Sequence, residues 1–172
     1  MNKLTLALAV AVSLATAPAW AQAPAQPRPA QQRPAAPADP VTERTLTRDS
    51  LKAIFEAAKL KVSIDSDGDI MLKEAVTVFA FPDKDRIRLL VNYGFKPAAT
   101  LQQKLELANR INHDYIVVRA SVPARNQAQL AMDYYILIGS GLSKATLVAA
   151  TRRFMSIVPD AVKEHDTDDI VK

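Results

Sequence analysis

Leu51, Ile54, Phe55 and Ala58 recur at the spacing of one helix face. Thr47 stands before them as a cap, and Asp49 lies in the first turn. These positions predict a first helix over 48–59. Lys61 to Asp65 then alternates as a strand does, and Ser66-Asp67-Gly68-Asp69 carries the Asp-Gly pair favoured in tight hairpin turns. A longer strand is expected over 70–81, ended by the turn residues Pro82-Asp83-Lys84-Asp85. The next strand, 86–95, alternates cleanly, with Ile87, Leu89, Val91, Tyr93 and Phe95 on one side and Arg86, Arg88 and Asn92 on the other.

Pro97 stops that strand and Thr100 caps a second helix, whose apolar stripe reads Leu101, Leu105, Ala108 and Ile111, joined by Leu107. Strands are expected over 115–122 and 129–138, separated by a polar loop that starts at Pro123. After the break Gly139-Ser140-Gly141, Ser143 caps a third helix carrying Leu147, Val148, Phe154, Ile157 and Val158. Pro159 should kink or restart it, and residues 165–172 should fray. The order is αβββαββα. Hairpin-length turns and three amphipathic helices predict an α+β two-layer sandwich: three helices on an antiparallel five-stranded sheet.

The chain ahead of this domain reads differently. Lys3, the short apolar run from Leu4 to Ala17 and the small-x-small ending Ala19-Trp20-Ala21 predict a signal peptide over 1–21, cleaved to leave a chain starting at Gln22. The chain has no cysteine, which excludes a lipid anchor through cysteine and any disulfide. Residues 22–41 hold six prolines among alanine, glutamine and arginine, a composition expected to stay extended as a linker. The folded domain is therefore expected over 42–164, in a protein that is periplasmic or secreted from a bacterium and does not insert in the membrane once cleaved. After cleavage 21 basic and 18 acidic residues remain, scattered in sequence, an excess too small to point to nucleic acid.

The order of elements, with certain words in certain places, resembles the YbjN family of bacterial domains. The matching residues are the Asp65-Ser66-Asp67-Gly68-Asp69 hairpin, the helix Leu105-Glu106-Leu107-Ala108-Asn109-Arg110-Ile111-Asn112 and the strand Val117-Val118-Arg119-Ala120-Ser121. The Gly141-Leu142-Ser143 entry to the last helix, with Arg152-Arg153-Phe154 beyond it, completes them. The resemblance covers about 47–162. It implies a fold like that of type III secretion chaperones and a regulatory or chaperone-like binding module, with no catalytic motif to carry over. Expected export departs from an intracellular chaperone role, so that role is not carried over directly.

The residues that suggest chemistry each fit a plainer part better. Asp65, Asp67 and Asp69 alternate as calcium ligands do, but glycine stands fourth where an EF-hand needs it sixth, and Val76 occupies the twelfth position. A hairpin turn satisfies the pattern. His113 and His165, the two histidines, stand far apart without a metal-ligand pattern, and read as a helix-end residue and a tail residue. Ser140 sits between glycines but lacks the nucleophile-elbow pattern and its partners. Arg152 and Arg153 read as a solvated edge paired with carboxylates, and Asn109 and Asn112 as side chains fixing the second helix to nearby backbone. No cofactor or metal is expected.

The sheet face away from the core is more suggestive. Alternation puts Met132, Tyr134, Ile136 and Ile138 inward, leaving Asp133, Tyr135 and Leu137 on the other face, with Leu90 from the third strand and Tyr115, Val117 and Arg119 from the fourth. A wholly solvated face would be more polar. Either the second helix covers part of it, or it receives a partner. The expectation is a non-enzymatic module binding a protein or peptide, or a second copy as a homodimer, through Leu90, Tyr115, Val117, Arg119, Tyr135 and Leu137. The rival reading is a small enzyme or ligand-binding protein with a cleft near Gly139–Ser143.

Overall fold

The structure, a computed structural model, describes residues 40–172. The expected signal peptide and all but the end of the expected linker lie outside the described residues. That end belongs to the domain: Val41 is buried and exchanges two backbone hydrogen bonds with Leu142, at 2.8 and 2.9 Å.

Helix α1 (Arg48–Ala57) opens on a reciprocal cap between Thr47 and Ser50 and buries Leu51, Ile54 and Phe55. Lys59, at φ 61°, turns the chain away from it. Strands β1 (Val62–Ile64) and β2 (Ile70–Lys73) form the expected hairpin. Its turn is held by Asp65, whose Oδ1 accepts from the amides of Asp67 and Asp69 at 3.0 and 2.8 Å, while Gly68 takes φ 84°. The first aspartate thus serves the turn's own backbone.

The strand expected over 70–81 is two strands. The chain reverses at 74–76, and β3 (Thr77–Asp83) returns along β2 with Lys73 opposite Thr77 and Ile70 opposite Ala80. The reversal pivots on one residue, Ala75, so even-numbered residues face the core before and after it. Alternation runs through unbroken and, with no glycine or proline at the bend, hides the turn. The order is αββββαββα.

Strand β4 (Arg86–Gly94) pairs with β3, helix α2 (Leu101–Asp114) follows, and β5 (Arg119–Ser121) and β6 (Gln129–Leu137) complete an antiparallel six-stranded sheet in the order β1-β2-β3-β4-β6-β5. The strand expected over 115–122 is short because α2 runs on to Asp114 and 115–118 form a turn. Helix α2 also sits rotated from its expected stripe: Leu107, Ala108 and Ile111 are buried, but Leu101 and Leu105 are each 46% exposed. Helix α3 (Lys144–His165) is one uninterrupted helix through Pro159, with no restart.

The helices and the inward side chains of the sheet share one core that includes Phe55, Ile70, Leu72, Leu89, Met132, Leu147 and Phe154. Residues 166–172 join it instead of fraying. Ile170 and Val171 are buried, Asp166 accepts from both their amides at 2.9 Å, and the backbone of Lys96 and Gly94 bonds Ile170 and Lys172. No described helix is long and apolar enough to cross a membrane.

Candidate partner-binding face

Cross-strand register builds the outer face in rows. One row crosses every strand: Ser63, Met71, Phe79, Leu90, Asp133 and Arg119. The next joins Phe81, Arg88 and Tyr135, and the one beyond it Asp83, Arg86 and Leu137. Met71, Phe79, Phe81 and Leu90 are half-buried, and none belongs to the core shared with the helices. The Phe79 and Phe81 rings stack with centroids 6.4 Å apart. Among the described residues, α2 joins the core on the other side and leaves this face uncovered.

Charge is fixed at one end of the apolar strip. Asp133, only 1% exposed, accepts from Arg119 Nε and Nη2 at 2.9 and 2.7 Å and from Arg88 Nη2 at 3.1 Å. Two guanidiniums thus satisfy a carboxylate that could not stay buried alone. Its bonds and charge in turn hold the Arg119 guanidinium above its ordinary pKa. Arg119 and Arg86 lie 5.5 and 5.7 Å from the Tyr135 ring centroid, placing that ring between two cations.

Four of the six expected contact residues, Leu90, Arg119, Tyr135 and Leu137, therefore share this face. Tyr115 does not, because the strand it was assigned to is a turn there; Val117, in the same turn, stands at the margin of the face and lines a depression with Arg119, Asp133 and Tyr135. Tyr115 closes α2, lies edge-on to His165 and donates to Glu164 Oε2 at 2.7 Å. Val117 also lines a cavity on the helix side with Tyr134 and Phe154. Met71, Phe79 and Phe81 join the face beyond the expected residues, and their odd numbers, opposite the core-facing residues of the same segment, were the signal for it. Asp133 faces outward as expected and in addition anchors two arginines.

The bond to Glu164, with burial contributing less, pushes the Tyr115 phenol up to about 12 from 10.0. Ultraviolet titration against Tyr115→Phe should show one tyrosine ionising there, and Glu164→Gln should return it towards 10; no change in that variant would contradict the assignment. The folded state holds this proton more tightly, so the contribution to stability is whole below about pH 10 and lost as pH rises towards 12.

The remaining candidates have structural partners. Asn112 Nδ2 donates to the Ala120 carbonyl at 2.9 Å and its Oδ1 accepts from the Ala120 amide at 2.7 Å, closing the outer edge of β5. Asn109 is exposed and makes no such bond. Arg152 donates to the Ala58 carbonyl at 2.8 Å, capping α1 where a carboxylate partner was expected. His165 is buried, correcting its placement in a frayed tail, and both histidines meet Asp114. Ser140 is exposed and bonded to neither. Near its turn, a cavity of about 270 Å³ is lined by Pro40, Val41, Ile54, Ala57 and Lys144 among others, with no histidine or carboxylate among the described residues.

The fold and this face describe an α+β domain with helices on one side of an antiparallel sheet and a half-apolar, arginine-flanked surface on the other. A family model described as "Putative bacterial sensory transduction regulator" matches residues 47–164, and the chain belongs to this YbjN family. The crystal structure of YbjN from E. coli, called a putative transcription regulator, is similar at 13% identity and TM-score 0.62 over 74% of this chain and 96% of that one. Weaker likenesses, each at TM-score 0.44, are to the Yersinia pestis type III secretion chaperone SycH, solved in complex with a fragment of YscM2, and to an uncharacterised protein of Methanothermobacter thermautotrophicus. The first has 14% identity over 68% of this chain and 98% of that one, the second 13% over 70% and 99%. No curated protein matches the sequence at a significant level.

Proposed function

We propose that the protein is an exported, non-enzymatic module, periplasmic or secreted, that binds a protein or peptide on the outer face of its sheet in a regulatory or chaperone-like role. The observation that carries this reading is the strip of Met71, Phe79, Phe81 and Leu90, left uncovered among the described residues and ending in Tyr135 and Leu137 with arginines at its rim. Apolar contact supplies affinity and the guanidiniums set orientation. Membership of a family described as regulators supports a binding role, and among the described residues the turn at Gly139–Gly141 gathers no acid, base and nucleophile that would favour catalysis.

Leu137 is 68% exposed, so Leu137→Asp should leave the melting temperature nearly unchanged. The same change should weaken capture of the partner from envelope extract by at least about 2 kcal/mol, through lost apolar burial and a buried charge. Undiminished capture would remove this face as the binding site. Export is tested separately: intact mass of the envelope fraction should show a chain beginning at Gln22, and uncleaved protein in the cytoplasm would contradict it.

A further inference from the structure

Among the described residues, the sheet has an unpaired stretch beside this face. Strand β5 covers β6 only at Ala131, Met132 and Asp133, whereas β4 pairs with β6 through Leu137 on its other side. Backbone polar groups alternate sides along a strand. The Ile138 amide donates towards β4, to the Asp85 carbonyl at 2.9 Å, so the amides and carbonyls of Tyr135 and Leu137 point to the open side. The neighbouring edge of β5 is closed by Asn112. Such free edges are templates for another strand.

The surroundings suit an incoming chain. Ile116, Val117, Tyr135 and Leu137 are four of the seven exposed large apolar side chains of the described residues, at 97, 37, 37 and 68% exposure. On the helix side of this edge lies a cavity of about 280 Å³ between Val117, Tyr134, Ala149, Ala150 and Phe154, with Arg153 and Thr146 in its lining. On the outer side stand Arg119 and Arg88, which share the one carboxylate of Asp133. Arg153 has no acidic partner among the described residues. The edge therefore carries positive charge in excess of its carboxylates.

We propose that an extended, acidic and apolar segment of the partner adds to β6 as a further strand, bonded to the backbone of Tyr135 and Leu137. Residues of that segment facing outward present carboxylates to Arg119, and the alternate residues place an apolar side chain in the Tyr134–Phe154 cavity. A second copy of this chain fits less well, because pairing two β6 edges brings like guanidiniums together. This inference rests on the partner-binding reading and names the chemistry of what is bound.

The test uses a fluorescent seven-residue peptide alternating glutamate and leucine, followed by anisotropy and by amide exchange. Binding should slow exchange at Tyr135 and Leu137. N-methylation of one alternate set of peptide residues, but not the other, should weaken it at least tenfold, as should lysine in place of glutamate. Ala149→Trp, which fills the cavity from an exposed position, should weaken it similarly without lowering the melting temperature. No binding, indifference to N-methylation, equal binding of the lysine peptide, or protection at Ser63 on β1 would each overturn the proposal. So would protection at Tyr135 and Leu137 without peptide, accompanied by dimer in sedimentation. Peptide-induced shifts at Phe79 and Phe81 without that protection would overturn strand addition and leave the outer face as the binding site. Undiminished partner capture by Leu137→Asp would overturn the face itself.

Discussion

Replacing both Arg88 and Arg119 by methionine should cost the fold about 3–5 kcal/mol, the range for stranding a buried charge. Asp133 is 1% exposed and, among the described residues, its three hydrogen bonds from side chains all come from these two guanidiniums. Without them the carboxylate must stay buried unpaired, take up a proton or be drawn to solvent, each at a cost to the folded state. Each single replacement should cost much less, since one arginine remains. Adding Asp133→Asn to the double variant should recover a large part of the loss, because an amide in that site carries no charge. The comparison separates the stranded charge from lost packing of the arginine stems. Equal instability of the double and triple variants in denaturant melts would assign the effect to packing.

Ending the chain at His165 should cost about 3–6 kcal/mol. Ile170 and Val171 are 5 and 8% exposed, and burying such side chains contributes about 1.5–3 kcal/mol each. Truncation also removes an isolated bridge between Val171 and Phe95 and the backbone bonds to Lys96 and Gly94. Asp166→Ala should lose less, about 2 kcal/mol, because it unties the turn at 166–171 without removing the apolar anchors. An unchanged melting temperature on truncation would mean that the tail contributes nothing to the fold.

What the sequence made legible follows from how local each signal is. Thr47, Thr100 and Ser143 were readable as caps because a hydroxyl three residues before a free amide acts within a single turn. The β1–β2 hairpin was readable because Gly68 must take positive φ. The 74–76 reversal was not, since a pivot on one residue preserves alternation. The docked tail was hidden for a different reason. Thr167-Asp168-Asp169 is polar, and only the distant groove beside Phe95 and Gly94 gives Ile170 and Val171 a place to bury.

The site divides in the same way. Alternation in β6 correctly turned Tyr135 and Leu137 outward and Met132 and Ile136 inward. A strand over 115–118 fails at Tyr115, which closes α2, because the apolar run Tyr115-Ile116-Val117-Val118 reads as strand even in a turn after a helix, where nothing local marks the change. The aromatic pair Phe79 and Phe81 escaped because a face is assembled by register between strands, and register is not local.

Oxidative footprinting of the outer face, with and without the captured partner, distinguishes a partner seated on this face from one bound elsewhere. Labelling of Met71, Phe79, Phe81, Tyr135 and Leu137 should fall together on binding, while Leu101 and Leu105 on α2 keep the reactivity of the free protein. Protection of α2, or of the α1–α3 surface at Val148, with the outer face still open to labelling, would contradict it.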